Sequence, residues 1–547
     1  MKKDAARLLL TETFDAPFDE SQFTNFSSNL LNSMDTSEAF PYLSGDNIKR
    51  AFQNHVSEYR RLGSYTDGKG ESIDVLAVKL VNEWAIERSR TMLRNFTADY
   101  LERSGRKDAA LVAYFTDNPE DWRFSYIRMD YKQELSEKGK VRVKKELTPA
   151  RRYSYLVGVN EPNHTAQSQL IGLLEDRSTN PTLTEIEDAF SVDAVSKQFY
   201  LDYRGLFERL HQELKTIVEA DPKIKKEFES KSIDSANFAK KLLGQIVFLY
   251  FLQKKGWLGV GKDDSGNFKR WGTGPKDFLK RLFNKEYTDY KNFFNDVLEP
   301  LFYEALATDL PSNYFSRFDC KIPFLNGGLF EPLNNYNWAE TDIRLDNDLM
   351  ADVFNKFDQY NFTVRENEPL DKEVAIDPEM LGKVFENLLP ENLRKGKGAY
   401  YTPRTIVHFM CQESLINYLK AEVPSIPEAD VDTLIREGSL ILEIENLGDK
   451  SSDTVLIDSL KDGAHELDAA LANIKVCDPA IGSGAFPVGM LHEIVTARKV
   501  LELYLDKQVS IYALKRHCIQ ESIYGVDIDP GAVDIAKLRL WLSLVVD

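Results

Sequence analysis

The stretch from Ile474 to Val495, IKVCDPAIGSGAFPVGMLHEIV, constrains the fold of this chain more than any other. IKVC reads as a short apolar strand, ended by Asp478 and Pro479. Gly482, Ser483 and Gly484 form a tight turn, and FPVGMLHEIV continues as a helix. Glycines let a backbone pass close to a ligand with no Cβ in the way. The turn also presents backbone amides at the start of the helix. Dinucleotide folds hold a pyrophosphate with this geometry. Here the glycine spacing is GxG alone, and the Asp478 carboxylate just ahead of it would repel phosphates. The loop suits a ligand with a positive end.

Two further segments frame it. SIYGVDIDPGAVDIAKLRLWLSLVV, Ser522 to Val546, opens as a strand with Asp527 at its carboxyl end. An acid there can accept both hydroxyls of a ribose, as in other doubly wound sheets. Asp529 and Pro530 start a helix whose apolar side carries Ala532, Ile535, Ala536, Leu538 and Leu542. Asp527 follows Gly482 by 45 residues, against the roughly 20 of a simple dinucleotide unit. The helical insertion ELYLDKQVSIYALKRHCIQE accounts for the excess and argues against a nicotinamide enzyme. Upstream, KGKGAYYTPRTIVHFMCQESL runs from Lys395 to Leu415. Its glycine-rich turn leads into Tyr400, Tyr401, Thr402 and Pro403, with Thr402 read as an N-cap and Pro403 at the first helical position. Alone this is an ordinary helix start; its place ahead of the glycine loop gives it weight.

In this order the three segments resemble the gamma-class adenine-N6 DNA methyltransferases. More closely they resemble the large methylases of type IIG restriction–modification enzymes and of BREX-type phage defence. GAYYTP is similar to that family's leading motif, which closes over the cofactor. DPAIGSGAF is similar to its cofactor loop, and IYGVDIDPGAVDIAKLRLWLSL to its second-strand motif with the ribose-binding acid, here Asp527. VFLYFLQKKGWLG, FLNGGLFEP and LGKVFENLLP extend the resemblance upstream towards residue 150. It implies S-adenosylmethionine as cofactor, whose amino acid portion supplies the positive end. The implied cofactor-binding residues are Tyr401, Thr402, Asp478, Pro479, Ala480, Gly482, Gly484, Phe486, Asp527 and Ile528. It implies double-stranded DNA as substrate, with the target base flipped out and its amine attacking the cofactor methyl. Other restriction or phage-defence subunits are candidate partners. Adenine-N6 and cytosine-N4 enzymes share these motifs.

The sequence departs from the family at the catalytic NPPY motif, which it lacks. Asn118-Pro119 and Asn180-Pro181 lie in the wrong places, without the second proline and the tyrosine. The expectation is a chain that stops before its catalytic half, binds cofactor poorly and transfers no methyl group as it stands. A methylase-derived subunit that binds DNA or protein without transfer is the alternative. Type IIG enzymes often begin with a metal-dependent nuclease built on an acid followed by ExK. Here Asp74 precedes VLAVK and Lys79 shares its strand. Ala77 stands where the second acid belongs, and Glu71 and Glu87 are off the required spacing. A metal site needs converging carboxylates. The reading is therefore an inactive nuclease-like or DNA-docking unit, with Mg2+ called for only if it cleaves DNA.

Residues 1–155 read as a small α/β unit: strand Ile73 to Leu80, helix Trp84 to Arg103, then strands Ala110 to Thr116 and Trp122 to Tyr131. Residues 156–395 read as a mainly helical connector, interrupted by the turn in IPFLNGGLFEP. Within it LLGQIVFLYFL, Leu242 to Leu252, is too short for a membrane span and reads as a buried core helix. Residues 396–547 alternate strands and helices as an incomplete Rossmann-like S-adenosylmethionine methyltransferase sheet. The net charge of −18 argues against a wholesale polyanion binder and leaves room for a local basic surface. Lys138, Lys140, Arg142 and Lys144 supply one candidate. A strand would put all four on one face, to meet DNA phosphates or as a solvated hairpin. The four cysteines lie far apart without CxxC spacing, which disfavours a disulfide or zinc site and fits a reducing cytoplasm. His408, His492 and His517 have no ligand spacing and read as structural.

Overall fold

The apolar runs near the N-terminus build a seven-stranded mixed sheet in the computed structural model. The structure describes residues 1–83, 85–86, 89–130, 133–135, 141–143, 150–175, 180–325, 328–366, 370–388, 402–439, 441–442, 458–505 and 508–545. The sheet's strands are β1 (Leu43–Ser44), β2 (Val56–Thr66), β3 (Ser72–Leu80), β4 (Ala109–Phe115), β5 (Asp121–Met129), β6 (Ala150–Gly158) and β7 (Asp371–Glu373), side by side in that order. β3 pairs with β4 and β6 with β7 in parallel; the other neighbours are antiparallel.

Both faces of this sheet are covered, so its central strands read as continuous apolar runs. Ile73, Val75 and Ala77 of β3 join the core beneath α1 (Lys3–Phe14) and α2 (Glu20–Leu31). Leu76, Val78 and Leu80 point the other way, into the core under α3 (Arg90–Arg103). The first side is aromatic: Phe14 stacks on Trp122 with ring centroids 5.7 Å apart, and Phe26 meets Phe124 edge-on at 5.6 Å. The expected strand, helix, strand, strand order is β3, α3, β4 and β5. α3 starts at Arg90; Ala85 and Ile86 ahead of it are also helical, and Trp84 and Glu87 lie outside the described residues.

Sequence patterning did not anticipate β2 and β6, which carry arginines along with their apolar residues. Residue 155 falls inside β6, and β7 comes from the stretch expected to be helical. Buried ion pairs dock that edge strand. The Arg152 guanidinium donates to Asp371, with Nη2 2.8 Å from Oδ1, and Arg123 Nη1 lies 3.2 Å from Glu373 Oε1. Arg90 also contacts Glu373. Burial alone would raise the Asp371 carboxyl, but the Arg152, Arg90 and Arg94 guanidiniums hold it below the usual carboxylate range. Of the basic candidates, Arg142 lies on a short strand, Val141–Val143, paired antiparallel with Gln133–Leu135. Lys138, Lys140 and Lys144 lie outside the described residues.

The middle of the chain is helical. α4 (Val192–Ala220) and α5 (Ser235–Lys254) pack together, and α5 is buried without a break from Leu242 to Gln253. Among the described residues no helix is long and apolar enough to cross a membrane. Beyond them lie α6 (Pro378–Asn387), α7 (Arg404–Glu422), α8 (Asp458–Asn473), α9 (Ala485–Leu501) and α10 (Pro530–Val545). α7, α8 and α9 share a second core. Beside it β8 (Val476–Asp478) and β9 (Ile523–Gly525) form a small parallel sheet, with Asp478 opposite Gly525.

Asp371→Ala should lower stability by about 3–5 kcal/mol, because it leaves the buried Arg152 guanidinium without its carboxylate. Chemical unfolding checks this. The double variant Arg152→Met with Asp371→Leu should lose clearly less.

Candidate functional site

The end of β8, the glycine loop and the end of β9 meet at one rim. Asp478 Oδ1 accepts from the Ala480 amide at 3.0 Å. Its other oxygen, Oδ2, is buried and has no hydrogen-bond partner. The Val526 amide donates to the Asp478 carbonyl at 2.9 Å, and the Ile481 amide to the Val526 carbonyl at 3.0 Å. These bonds prolong the pairing of β8 and β9 into the loop.

Asp527 then closes it. Its Oδ2 accepts from the Gly482 amide at 2.9 Å and its Oδ1 from the Asp529 amide at 2.8 Å. Each carboxylate oxygen has a further lone pair. Gly482 (φ 50°) and Gly484 (φ 86°) occupy the left-handed region, which favours glycine. A Cβ on Gly484 would also come within 2.9 Å of the Ala536 side chain on α10. Asp529 is a helix-start residue, as expected: its Oδ1 accepts from the Gly531 amide at 3.0 Å. Its other oxygen lies 3.7 Å from Lys240 Nζ on α5.

Of the residues expected at the site, Asp478, Pro479, Ala480, Gly482, Asp527 and Ile528 surround this rim. Pro479 and Ala480 are exposed, and Ile528 is 75% exposed. Gly484 sits behind it against α10. Phe486 is half-buried on α9, its carbonyl 3.7 Å from Cys411 Sγ of α7. Tyr401 lies outside the described residues. Thr402 is half-buried, but Pro403 takes the N-cap position and no side chain caps α7. The expected cap is thus off by one residue, a normal uncertainty at a helix end.

Beneath the loop lies a charged cluster that sequence reasoning missed. Arg539 of α10 is buried and grips Glu366 with two bonds, Nε to Oε1 at 2.7 Å and Nη2 to Oε2 at 2.9 Å. Its Nη1 donates to the Ser483 carbonyl at 2.9 Å. Arg404, at the start of α7, lies 3.4 Å from Glu379 and 3.8 Å from Glu366. His408 Nδ1 lies 2.5 Å from Glu493 Oε1, and Gln412 donates to the second Glu493 oxygen at 3.3 Å. All of these side chains but Gln412 line a small cavity of about 40 Å³, on the order of one water molecule's share of liquid volume. One signal was present in the sequence: Arg539 stands three residues after Ala536, on the apolar side of its helix. The structural reading of His517 agrees with its contact to the Ala472 carbonyl at 3.0 Å.

In the N-terminal sheet Asp74 is fully buried on the α3 side. Tyr100 donates to it at 2.7 Å, Arg61 lies at 3.3 Å and Lys107 at 3.7 Å. Lys79 points to Asp117 at 2.8 Å. The two residues of the expected nuclease pattern therefore serve separate ion pairs. Among the described residues, no group of three or more His, Cys, Asp or Glu is placed to hold a metal ion.

No family model matches the chain. Over 338 residues it is 32% identical to a protein of Methanocaldococcus jannaschii provisionally named as a type II restriction enzyme and methyltransferase. The match takes in 57% of this chain and 25% of that protein. The chain is homologous to a restriction–modification and methyltransferase protein, and spans about a quarter of its length. Among solved structures it is similar to the type IIL restriction–modification enzyme MmeI in complex with DNA. The TM-score is 0.37 at 14% identity, covering 64% of this chain and 36% of that one.

Asp377 caps α6, its Oδ1 accepting from the Met380 amide at 2.8 Å. Burial, then the charges of Glu379 and Glu366, push its carboxyl up to about 7 from an ordinary 3.8, against the pull of Arg404. Its raised value means that the folded state binds the extra proton. Its contribution to stability is therefore complete below about pH 4 and lost as pH rises to about 7. Asp377→Asn keeps a good cap and should flatten that dependence. Urea unfolding midpoints of both proteins across this window check it; a gap that does not change with pH would reject it.

Proposed function

We propose that this chain captures S-adenosylmethionine on the Asp478–Gly484 loop, as the cofactor-binding part of a site-specific DNA methyltransferase acting on an exocyclic amine, adenine N6 first. The observation that carries the reading is the unpartnered, buried Oδ2 of Asp478 beside a loop whose Gly482 and Gly484 take left-handed φ angles. A buried carboxylate oxygen without a donor is costly, and the ammonium of the methionine portion would supply one. Asp527 keeps lone pairs for ribose hydroxyls while it holds the loop amide of Gly482. The exposed side chain of Ile528 offers an apolar surface for the adenine ring. Tyr401 and Thr402 are proposed to close over the ligand. The homology to a restriction–modification and methyltransferase protein supports the class.

When bound, the cofactor supplies a methyl group for an amine of a base flipped from double-stranded DNA. Transfer would draw on an NPPY motif, which this sequence does not contain. The division into a nuclease-like or DNA-docking unit, a helical connector and a Rossmann-like methyltransferase sheet belongs to the same proposal. So do the meeting of Lys138, Lys140, Arg142 and Lys144 with DNA phosphates, partnership with restriction or phage-defence subunits, and a cytoplasmic location.

The test is calorimetry of S-adenosylmethionine with the protein that carries this chain. Asp478→Asn should weaken binding by about one to two orders of magnitude, the loss of a charge-assisted bond of roughly 1.5–3 kcal/mol. Gly482→Val should abolish it. Asp527→Ala should also weaken it, since the loop amide and the ribose lose the same acceptor. Unchanged affinity in all three would overturn the reading, as would tight binding of NAD in place of S-adenosylmethionine.

A further inference from the structure

The glycine loop does not hold its shape alone. Ser483, at its centre, is 3% exposed, and its carbonyl accepts from Arg539 Nη1 at 2.9 Å. On another side stands Gly382 of α6. A Cβ there would come within 2.6 Å of Ser483 Oγ and 2.8 Å of its Cβ. Glycine inside a helix is unfavourable, and here the close approach of Ser483 requires it. A third wall is Ala536, which leaves no room for a side chain on Gly484. The Arg539 guanidinium is oriented in turn by its two bonds to Glu366, and Glu366 also faces Arg404 at the start of α7.

We propose that Arg539 is a positioning residue that fixes the cofactor loop through the Ser483 carbonyl, with Glu366 and Gly382 as its fixed supports. The inference rests on the reading of this loop as the S-adenosylmethionine site. Glu366 and Gly382 come from the stretch between β6 and α7, outside the small parallel sheet. Affinity for the cofactor is thereby coupled to the docking of that stretch. A bidentate guanidinium–carboxylate pair has one geometry, so the third arm of Arg539 reaches Ser483 from a set direction. A lysine has a single point charge and cannot hold Glu366 by two parallel bonds while also reaching the carbonyl. The group touches no reacting atom and acts through the loop backbone.

Two readouts test this on the whole protein. The first is backbone amide exchange over residues 481–485 without ligand. Arg539→Lys and Arg539→Met should both speed exchange there and leave α8 unchanged. The second is affinity for S-adenosylmethionine, which should fall about tenfold in Arg539→Met, the size of one lost charge-assisted bond. If methyl transfer is measured, KM for the cofactor should rise while kcat holds. Gly382→Ala is the independent variant should Arg539→Met fail to fold. It favours the helix, yet it should displace Ser483 and reproduce both effects. Wild-type binding of S-adenosylmethionine with unaltered affinity in the Arg539 and Gly382 variants overturns the positioning role alone. No binding by the wild type overturns the reading beneath it. In that case the exchange measurement still decides whether Arg539 fixes the loop, and unchanged exchange rejects it.

Discussion

Taking a guanidinium out of water costs several kilocalories per mole unless a carboxylate meets it with good geometry. Among its described residues this protein buries Arg90, Arg94, Arg123, Arg152, Arg498 and Arg539, and Asp468 answers Arg498. Most of the acids that answer them lie on one short stretch, from Glu366 to Glu379. Asp371 and Glu373 face Arg152, Arg123 and Arg90 at the edge of the N-terminal sheet. Glu366 faces Arg539, and Glu379 faces Arg404, below the glycine loop. The stretch therefore acts as a two-sided staple. Its placement fixes the last strand of one sheet and the supports of the loop on the other. Asp377 sits between the two sets, fully buried, and the crowding of its neighbours explains its reluctance to ionise.

Around that staple the loop is assembled from distant parts. Asp527 reaches back 45 residues to the Gly482 amide, and the β8–β9 pairing continues into the loop through Val526 and Ile481. The resulting rim places two acids with different duties side by side. Asp527 spends one lone pair of each oxygen on backbone. Asp478 spends only one oxygen on backbone and leaves the other without a partner. Under the proposed function, that difference in satisfaction, more than the presence of acids, is what would favour a cationic group over a phosphate at the rim.

Much of this was legible in the residues. IDVLAVKL, ALVAYF and WRFSYIRM lie within strands, as their apolar content implies, and α5 is buried as its run LLGQIVFLYFL implies. The strand–turn–helix of Ile474 to Val495 and the helix-start role of Asp529 were also readable, because glycine and capping chemistry are local. What could not be read was long-range. VRENEPLDKEVAIDPEM, Val364 to Met380, falls in the stretch read as a helical connector, and nothing local in it marks its acids for burial. Asp371, Glu373 and Glu366 are taken out of water because arginines more than a hundred residues away in sequence arrive beside them. β2 and β6 escaped for the same reason: arginine in a strand looks exposed until its partner is known. The N-cap of α7 was missed by a single residue, a matter of where φ turns helical.

α10 carries one more consequence. Ile535, Leu538 and Leu542 belong to the same core as α1, α2 and the N-terminal sheet, while Ala536 and Arg539 of the same helix press on the glycine loop. The helix that follows Asp527 and Asp529 thus joins a core continuous with the helical middle of the chain, where its Trp541 meets Phe248 of α5 edge-on. The architecture offers no clean seam for recombination. A gene exchange that imported a foreign N-terminal sheet would also have to import the acidic staple that docks its edge strand.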